Sequence, residues 1–152
     1  MQDRVIVLKR GAVMYRRSKQ PETTASLVRR DRFVWFAFET TYGVNSYGPL
    51  LSKWTVDKPL RLLNIGSMDV RRAISVLYGI PIKALVCDEQ FSGGDANTRF
   101  HNTIAPILRG LRVHGTFISD ETSDADCEGP SEVVLFPNQL RRMRRRTLTR
   151  PA

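Results

Sequence analysis

Residues 33–38, FVWFAF, constrain this chain more than any other segment. Six consecutive apolar residues bury both faces of whatever they form. The run is short for a buried helix and has the length and the aromatic and β-branched content of a strand. A strand apolar on both sides needs a neighbour at each edge and cover on each face. The chain must therefore build a layered domain with this segment near the middle of its sheet.

Other short apolar runs supply the neighbours. Val5–Leu8, residues 12–15, residues 60–65, Gly115–Ile118 and residues 133–136 each read as a strand. Residues 18–24 contain Pro21 and read as a loop. Residues 39–47 read as a short helix stopped by Gly48-Pro49. Ser67 is placed to cap a helix through Val70, Ile74 and Leu77 that ends at Gly79. Residues 98–111 place Phe100, Ile104, Ile107, Leu108 and Leu111 on one side of a helix, with Pro106 expected to kink it. Residues 91–97, FSGGDAN, read as a loop, and 120–130 as an acidic loop. Short strands of mixed direction with a few short helices predict an α+β fold. The expected organisation is one domain over residues 1–140 and an Arg-rich C-terminal tail over 141–152.

Charge narrows the partners. The 152 residues carry 24 Lys and Arg against 15 Asp and Glu, a net charge of +9. That balance favours anionic partners such as nucleic acid or phosphorylated ligands. Six arginines, at 141, 142, 144, 145, 146 and 150, fall within ten residues at the C-terminal end. Arg141, Arg142, Arg144, Arg145 and Arg146 are candidates for neutralising nucleic-acid phosphates, a salt-sensitive contact without base specificity. A solvated tail, a localisation signal or a protein contact are the other readings.

Cys87 and Cys127 have no metal-like spacing, and His101 and His114 lie too far apart for a metal pair, so no metal is expected. His101 reads as a helix-surface residue. The first residues lack a signal-peptide apolar core, and no run suits a membrane span. An intracellular protein, cytoplasmic or nuclear, is the expectation. Neither a G-x-x-x-x-G-K-[ST] loop nor a G-x-G-x-x-G fingerprint occurs.

Three segments in chain order carry a chemical pattern. The first is Tyr15-Arg16-Arg17-Ser18. The second is Trp35-Phe36-Ala37, followed twelve residues after Trp35 by Tyr47. The third is Glu132 at the head of an apolar strand. Singly, each has a plain structural reading: surface arginines, core aromatics, a solvated strand end. Together they resemble the ADP-ribosyltransferase superfamily, including its poly(ADP-ribose) polymerase branch. The resemblance implies an ADP-ribosyltransferase-like fold, with strands around an NAD cleft, and transfer of ADP-ribose from NAD⁺ to a macromolecular acceptor, protein or nucleic acid.

It also implies roles. Tyr47 would stack on the cationic nicotinamide ring, with Trp35 as a second aromatic wall. Main-chain groups of Arg17 would hold the carboxamide. Arg16 would reach ribose or phosphate, and Ser18 ribose or carboxamide. Glu132 would stabilise the positive charge that grows on the ribose. Arg16, Tyr47 and Glu132 should then line one cleft. Two positions depart from the pattern: Arg17 stands where the family usually has Gly, and Arg16 where the polymerase branch has His. A catalytically inactive relative, or a plain basic nucleic-acid-binding protein, is the alternative.

Overall fold

The structure is a computed structural model and describes residues 4–40, 47–79, 94–118 and 132–149. It is α+β: one eight-stranded, mixed sheet with a few helices. The strands are β1 (Val5–Leu8), β2 (Val13–Ser18), β3 (Val34–Ala37), β4 (Leu50–Val56), β5 (Leu60–Asn64), β6 (Gly115–Ile118), β7 (Glu132–Leu135) and β8 (Met143–Thr147). The helices are α1 (Thr24–Arg29), α2 (Met68–Tyr78) and α3 (Gly94–Gly110), with a 3₁₀ turn at Pro137–Arg142. Across the sheet the order is β1-β5-β6-β7-β3-β2-β4-β8. Only β5 and β6 run parallel; the other neighbours are antiparallel.

The FVWFAF run does become an interior strand. β3 lies between β7 and β2 and is apolar on both sides. Side chains alternate along a strand, and cross-strand partners share a face. On one face Phe36 joins Val133, Leu135, Met14, Trp54, Leu62 and Phe117 in the larger core, which α1 closes with Leu27. Each buried side chain of this kind is worth about 1.5–3 kcal/mol of transfer free energy. Trp54 is wholly buried, and its Nε1–H donates to the Ser52 hydroxyl at 2.9 Å, so no polar group is stranded.

On the other face α2 and α3 cover β5, β6 and β7 through Val70, Ile74, Ile104, Ile107 and Leu108. Ser67 caps α2 by accepting from the Val70 N–H, and Gly79 ends it in a left-handed turn at φ +66°. Pro106 stands inside α3. The close packing of β6 on β7 requires Gly115, because a Cβ there would lie 1.9 Å from the Val134 carbonyl oxygen.

Several expectations are corrected here. The strand expected at 12–15 runs on to Ser18, and α1 and β4 arise where no element was assigned. α1 is held by a capping box in which Thr23 and Ser26 exchange side-chain-to-backbone bonds of 2.9 and 3.0 Å. α3 begins at Gly94, within the segment read as a loop. Leu77 and Leu111 are exposed rather than core. Residues 143–147 are not a tail: they are edge strand β8, registered against β4 from Ser52↔Thr147 to Val56↔Met143. The physical reason is that strand pairing uses main-chain groups and tolerates charged side chains at a sheet edge, where they deter further pairing.

Residues 41–46, which hold most of the expected 39–47 helix, lie outside the described residues, as do Cys87, Cys127 and the acidic loop. Among the described residues, no helix is long and apolar enough to cross a membrane.

Candidate functional site

The three sequence segments converge on three adjacent strands. Tyr15 of β2 pairs with Ala37 of β3, and Ala37 pairs with Glu132 of β7. At about 4.8 Å per strand spacing, Tyr15 and Glu132 stand roughly 10 Å apart in one cross-strand row. The row extends the other way through Lys53 of β4 and Arg146 of β8. Alternation puts Arg17 and Trp35 on this same face, two residues along from Tyr15 and Ala37. This is the face whose β5–β7 half is covered by α2 and α3.

Between β2 and β3 the sheet is nearly split. Among the described residues their ladder consists of the single pair Tyr15↔Ala37. The Ala12 carbonyl accepts from the Val56 N–H, and that of Arg16 from the Ser52 hydroxyl, so both aim at β4. By alternation the N–H and C=O of Arg17 aim at β3, beyond the one registered pair. A donor and an acceptor therefore face the gap beside Trp35.

The Arg17 guanidinium acts as a clasp. Its Nε–H donates to the Thr40 carbonyl at 2.7 Å, and Nη1–H lies 3.4 Å from the Pro49 carbonyl. These carbonyls flank the connection from β3 to β4, which carries Tyr47. Gly48 packs so closely on the Ser18–Lys19 main chain that a Cβ would fall 2.4 Å from the Ser18 carbonyl oxygen, and its φ of +124° suits glycine. Tyr47 is thereby anchored beside the end of β2, about half exposed at 52%.

Glu132 is half-buried, and desolvation raises its carboxyl pKa to about 7. A carboxylate shifted this far by its surroundings, at the meeting point of the three segments, is a candidate for chemistry.

Arg16 and Ser18 point to the opposite face, so Arg16 does not line one cleft with Glu132, contrary to the expectation for Arg16, Tyr47 and Glu132. The Arg16 guanidinium grips the buried Glu22 carboxylate with bonds of 2.8 and 3.0 Å and donates to the Trp35 carbonyl at 3.0 Å. Arg30 adds a third cationic contact to Glu22 at 3.3 Å. The expectation that Arg16 reaches a ribose or phosphate gives way to an internal ion pair, because a buried carboxylate at Glu22 must be matched. Ser18 donates to the Gln20 carbonyl at 2.7 Å and shapes the turn after β2.

His101 was missed as a site neighbour. It is buried at 1% exposure, its Nε2 lies 2.7 Å from the Thr116 hydroxyl, and its ring meets Trp35 edge-on at 6.1 Å. Its spacing of three and seven residues to Ile104 and Leu108 was the available signal, since that places it on the apolar side of α3.

The Arg-rich segment is divided. Arg144 and Arg146 share the face of Lys53, and Arg145 faces the other way, with its Nη1–H donating to the Thr147 hydroxyl. Arg141 and Arg142 end the 3₁₀ turn, and Arg142 donates to the Pro59 carbonyl at 2.9 Å.

No family model matches the chain, and no curated protein matches it in sequence.

Proposed function

We propose that the chain is an NAD-dependent ADP-ribosyltransferase acting on a macromolecular acceptor, built on an ADP-ribosyltransferase-like fold. The observation that carries this reading is the row Tyr15–Ala37–Glu132, which joins all three resemblance motifs on neighbouring strands.

The residues present suit the dinucleotide in kind. The gap between β2 and β3 offers the Arg17 N–H and C=O, the donor and acceptor that a carboxamide needs. Trp35, with Tyr47 anchored nearby, offers aromatic faces to a cationic ring, worth about 0.5–2 kcal/mol. The place usually held by Gly takes Arg17 because its side chain is drawn to the Thr40 and Pro49 carbonyls.

NAD⁺, when bound, supplies an ADP-ribosyl group whose bond to nicotinamide breaks with the electron pair leaving on nicotinamide. Glu132 in its ionised form favours positive charge developing near it and contributes more in the transition state than in the ground state. With a pKa near 7 it is about half ionised at neutral pH. Arg16 has no part in binding in this reading; it holds β2 to the Glu22 turn. The test is release of nicotinamide from NAD⁺ by the purified protein, with and without nucleic acid and candidate acceptor proteins.

One observation favours a second reading, a nucleic-acid-binding module without turnover. Lys53, Arg144 and Arg146 form a cationic strip at the sheet edge, on the face of the cleft. Such a module binds duplex DNA with a log–log salt slope of about −0.9 per phosphate contacted and does not turn over NAD⁺.

A further inference from the structure

A pocket of about 540 Å³ lies at the other end of β7 from Glu132, between the end of α3, the end of α1 and the 3₁₀ turn. Its polar walls are Asp31, Arg109, Arg112, His114, Asn138 and Gln139. We infer that this pocket binds the phosphate of a small organic phosphomonoester, at a site separate from the cleft at Glu132.

Three features shape what it can bind. The first is its frame. Asp31 at φ +51° and Arg112 at φ +56° line the pocket and are the left-handed residues that end α1 and α3. The Asp31 N–H donates to the Val28 carbonyl and the Arg112 N–H to the Arg109 carbonyl, so hydrogen-bonded helix ends fix both positions.

The second is charge. Arg109 and Arg112 face a single carboxylate, Asp31, among the lining residues. Arg61 and Arg142 stand close enough for their positive charge, after burial, to lower the His114 pKa. The C-terminal ends of α1 and α3 each contribute about half a negative charge. Arg109 and Arg112 in the lining, with Arg61 and Arg142 outside it, outweigh one carboxylate and the two helix ends and leave a net cationic field.

The third is donor polarity. His114 Nδ1 accepts from the Arg61 main-chain N–H at 2.8 Å, so the neutral ring carries its proton on Nε2. The ring, two guanidinium groups and the NH₂ groups of two side-chain amides outnumber the Asp31 carboxylate and the amide oxygens, which suits an acceptor-only anion. Arg109 also lies over the Phe136 ring, 5.0 Å from its centroid, which fixes the guanidinium in place.

Size selects the class. Bare phosphate underfills 540 Å³, which lies in the range of small-molecule sites. Val28, Val113 and Phe136 supply apolar wall for an organic moiety beyond the phosphate.

The test is calorimetric titration of the full chain with uridine 5′-monophosphate, uridine and inorganic phosphate. In parallel, NMR follows the His114 imidazole, one of two histidines in the chain. The variant is Arg112→Asn, since Asn accepts left-handed backbone. The account predicts that uridine 5′-monophosphate binds, phosphate binds at least tenfold more weakly, and uridine does not bind. The nucleotide should raise the His114 pKa, and Arg112→Asn should weaken binding at least tenfold without lowering Tm. Binding of neither phosphate ligand, equal binding of uridine, or unchanged affinity and an unmoved His114 resonance would overturn the inference. Phosphate binding as tightly as the nucleotide would overturn the assigned ligand class.

Discussion

Glu132 opens β7 directly opposite Ala37, the residue that also pairs with Tyr15. That double pairing joins segments more than a hundred residues apart in the chain. It leaves a desolvated carboxylate beside a gap in the sheet where Arg17 offers an amide N–H and a carbonyl.

The pH dependence of stability has a definite sign at Glu132. Its folded pKa, about 7, lies above the ordinary value of 4.5. Between these values the unfolded chain loses the proton while the folded chain keeps it, so stability falls as pH rises from about 4.5 to 7 and then levels off. Glu132→Gln removes this loss. Thermal melts should show the variant more stable than the parent at pH 8, by about 1–3 kcal/mol, and matched to it at pH 4.5.

Turnover should run the other way. In the proposed reaction nicotinamide release needs the ionised carboxylate, so its rate should rise through an acid limb with an apparent pKa near 7. A pH–rate profile flat from pH 6 to 8.5 would remove Glu132 from the rate-determining ionisation.

The Arg16–Glu22 pair is structural. Glu22→Gln leaves the guanidinium with a neutral partner, and Arg16→Ala leaves a buried carboxylate with Arg30, at 3.3 Å, as its remaining cationic contact. The second should cost about 2–4 kcal/mol, somewhat less than a fully buried pair, because the Arg16 side chain keeps 18% exposure. In a domain of this size that lowers Tm by roughly 5–15 °C. The KM for NAD⁺ should stay within about twofold at temperatures where the variant is folded. A large KM rise without loss of stability would return Arg16 to the cleft.

His101→Ala removes the partner of the Thr116 hydroxyl and the edge contact to Trp35. A buried unsatisfied hydroxyl and a cavity together should cost about 2–4 kcal/mol. Trp35 fluorescence, read in a Trp54→Phe background, should shift to longer wavelength as the ring gains water.

Gly48→Ala tests how Tyr47 is anchored. The added methyl meets the Ser18 carbonyl at 2.4 Å, a main-chain atom that cannot step aside, and φ is +124°. Limited proteolysis should show the connection from β3 to β4 cut faster than in the parent. NAD⁺ affinity should fall while the melt of the rest of the sheet changes little.

Much of this was legible in the sequence, for reasons that differ by element. FVWFAF declared an interior strand because both its faces are apolar. Ser67 and Gly79 marked α2 through side-chain and backbone chemistry that acts locally. β4 was hidden because its buried positions are Ser52, Trp54 and Val56, with Lys53 between them, so period-two alternation carries a polar residue on the buried side. α1 spans only six residues, and its capping box uses Ser26 where Glu or Gln is the familiar signal.

The candidate site was proposed from three motifs, and their adjacency on β2, β3 and β7 came from pairing that no local pattern encodes. Arg16 illustrates the limit. Its neighbours in sequence suggested a ligand contact, but strand alternation turned it to the far face, where Glu22 waited. The Arg-rich end misled for a related reason: charge predicts solvation of side chains and says nothing of main-chain pairing to β4.

The central claim is that Glu132 does the chemistry of a cleft at the β2–β3 gap. The most direct test is nicotinamide release from NAD⁺ by the parent and by Glu132→Gln at pH 8, with NAD⁺ affinity measured for both by calorimetry. The account predicts turnover lowered about 10²–10³-fold with affinity changed less than about threefold. Equal release by both proteins, or no NAD⁺ binding by the parent, would contradict it.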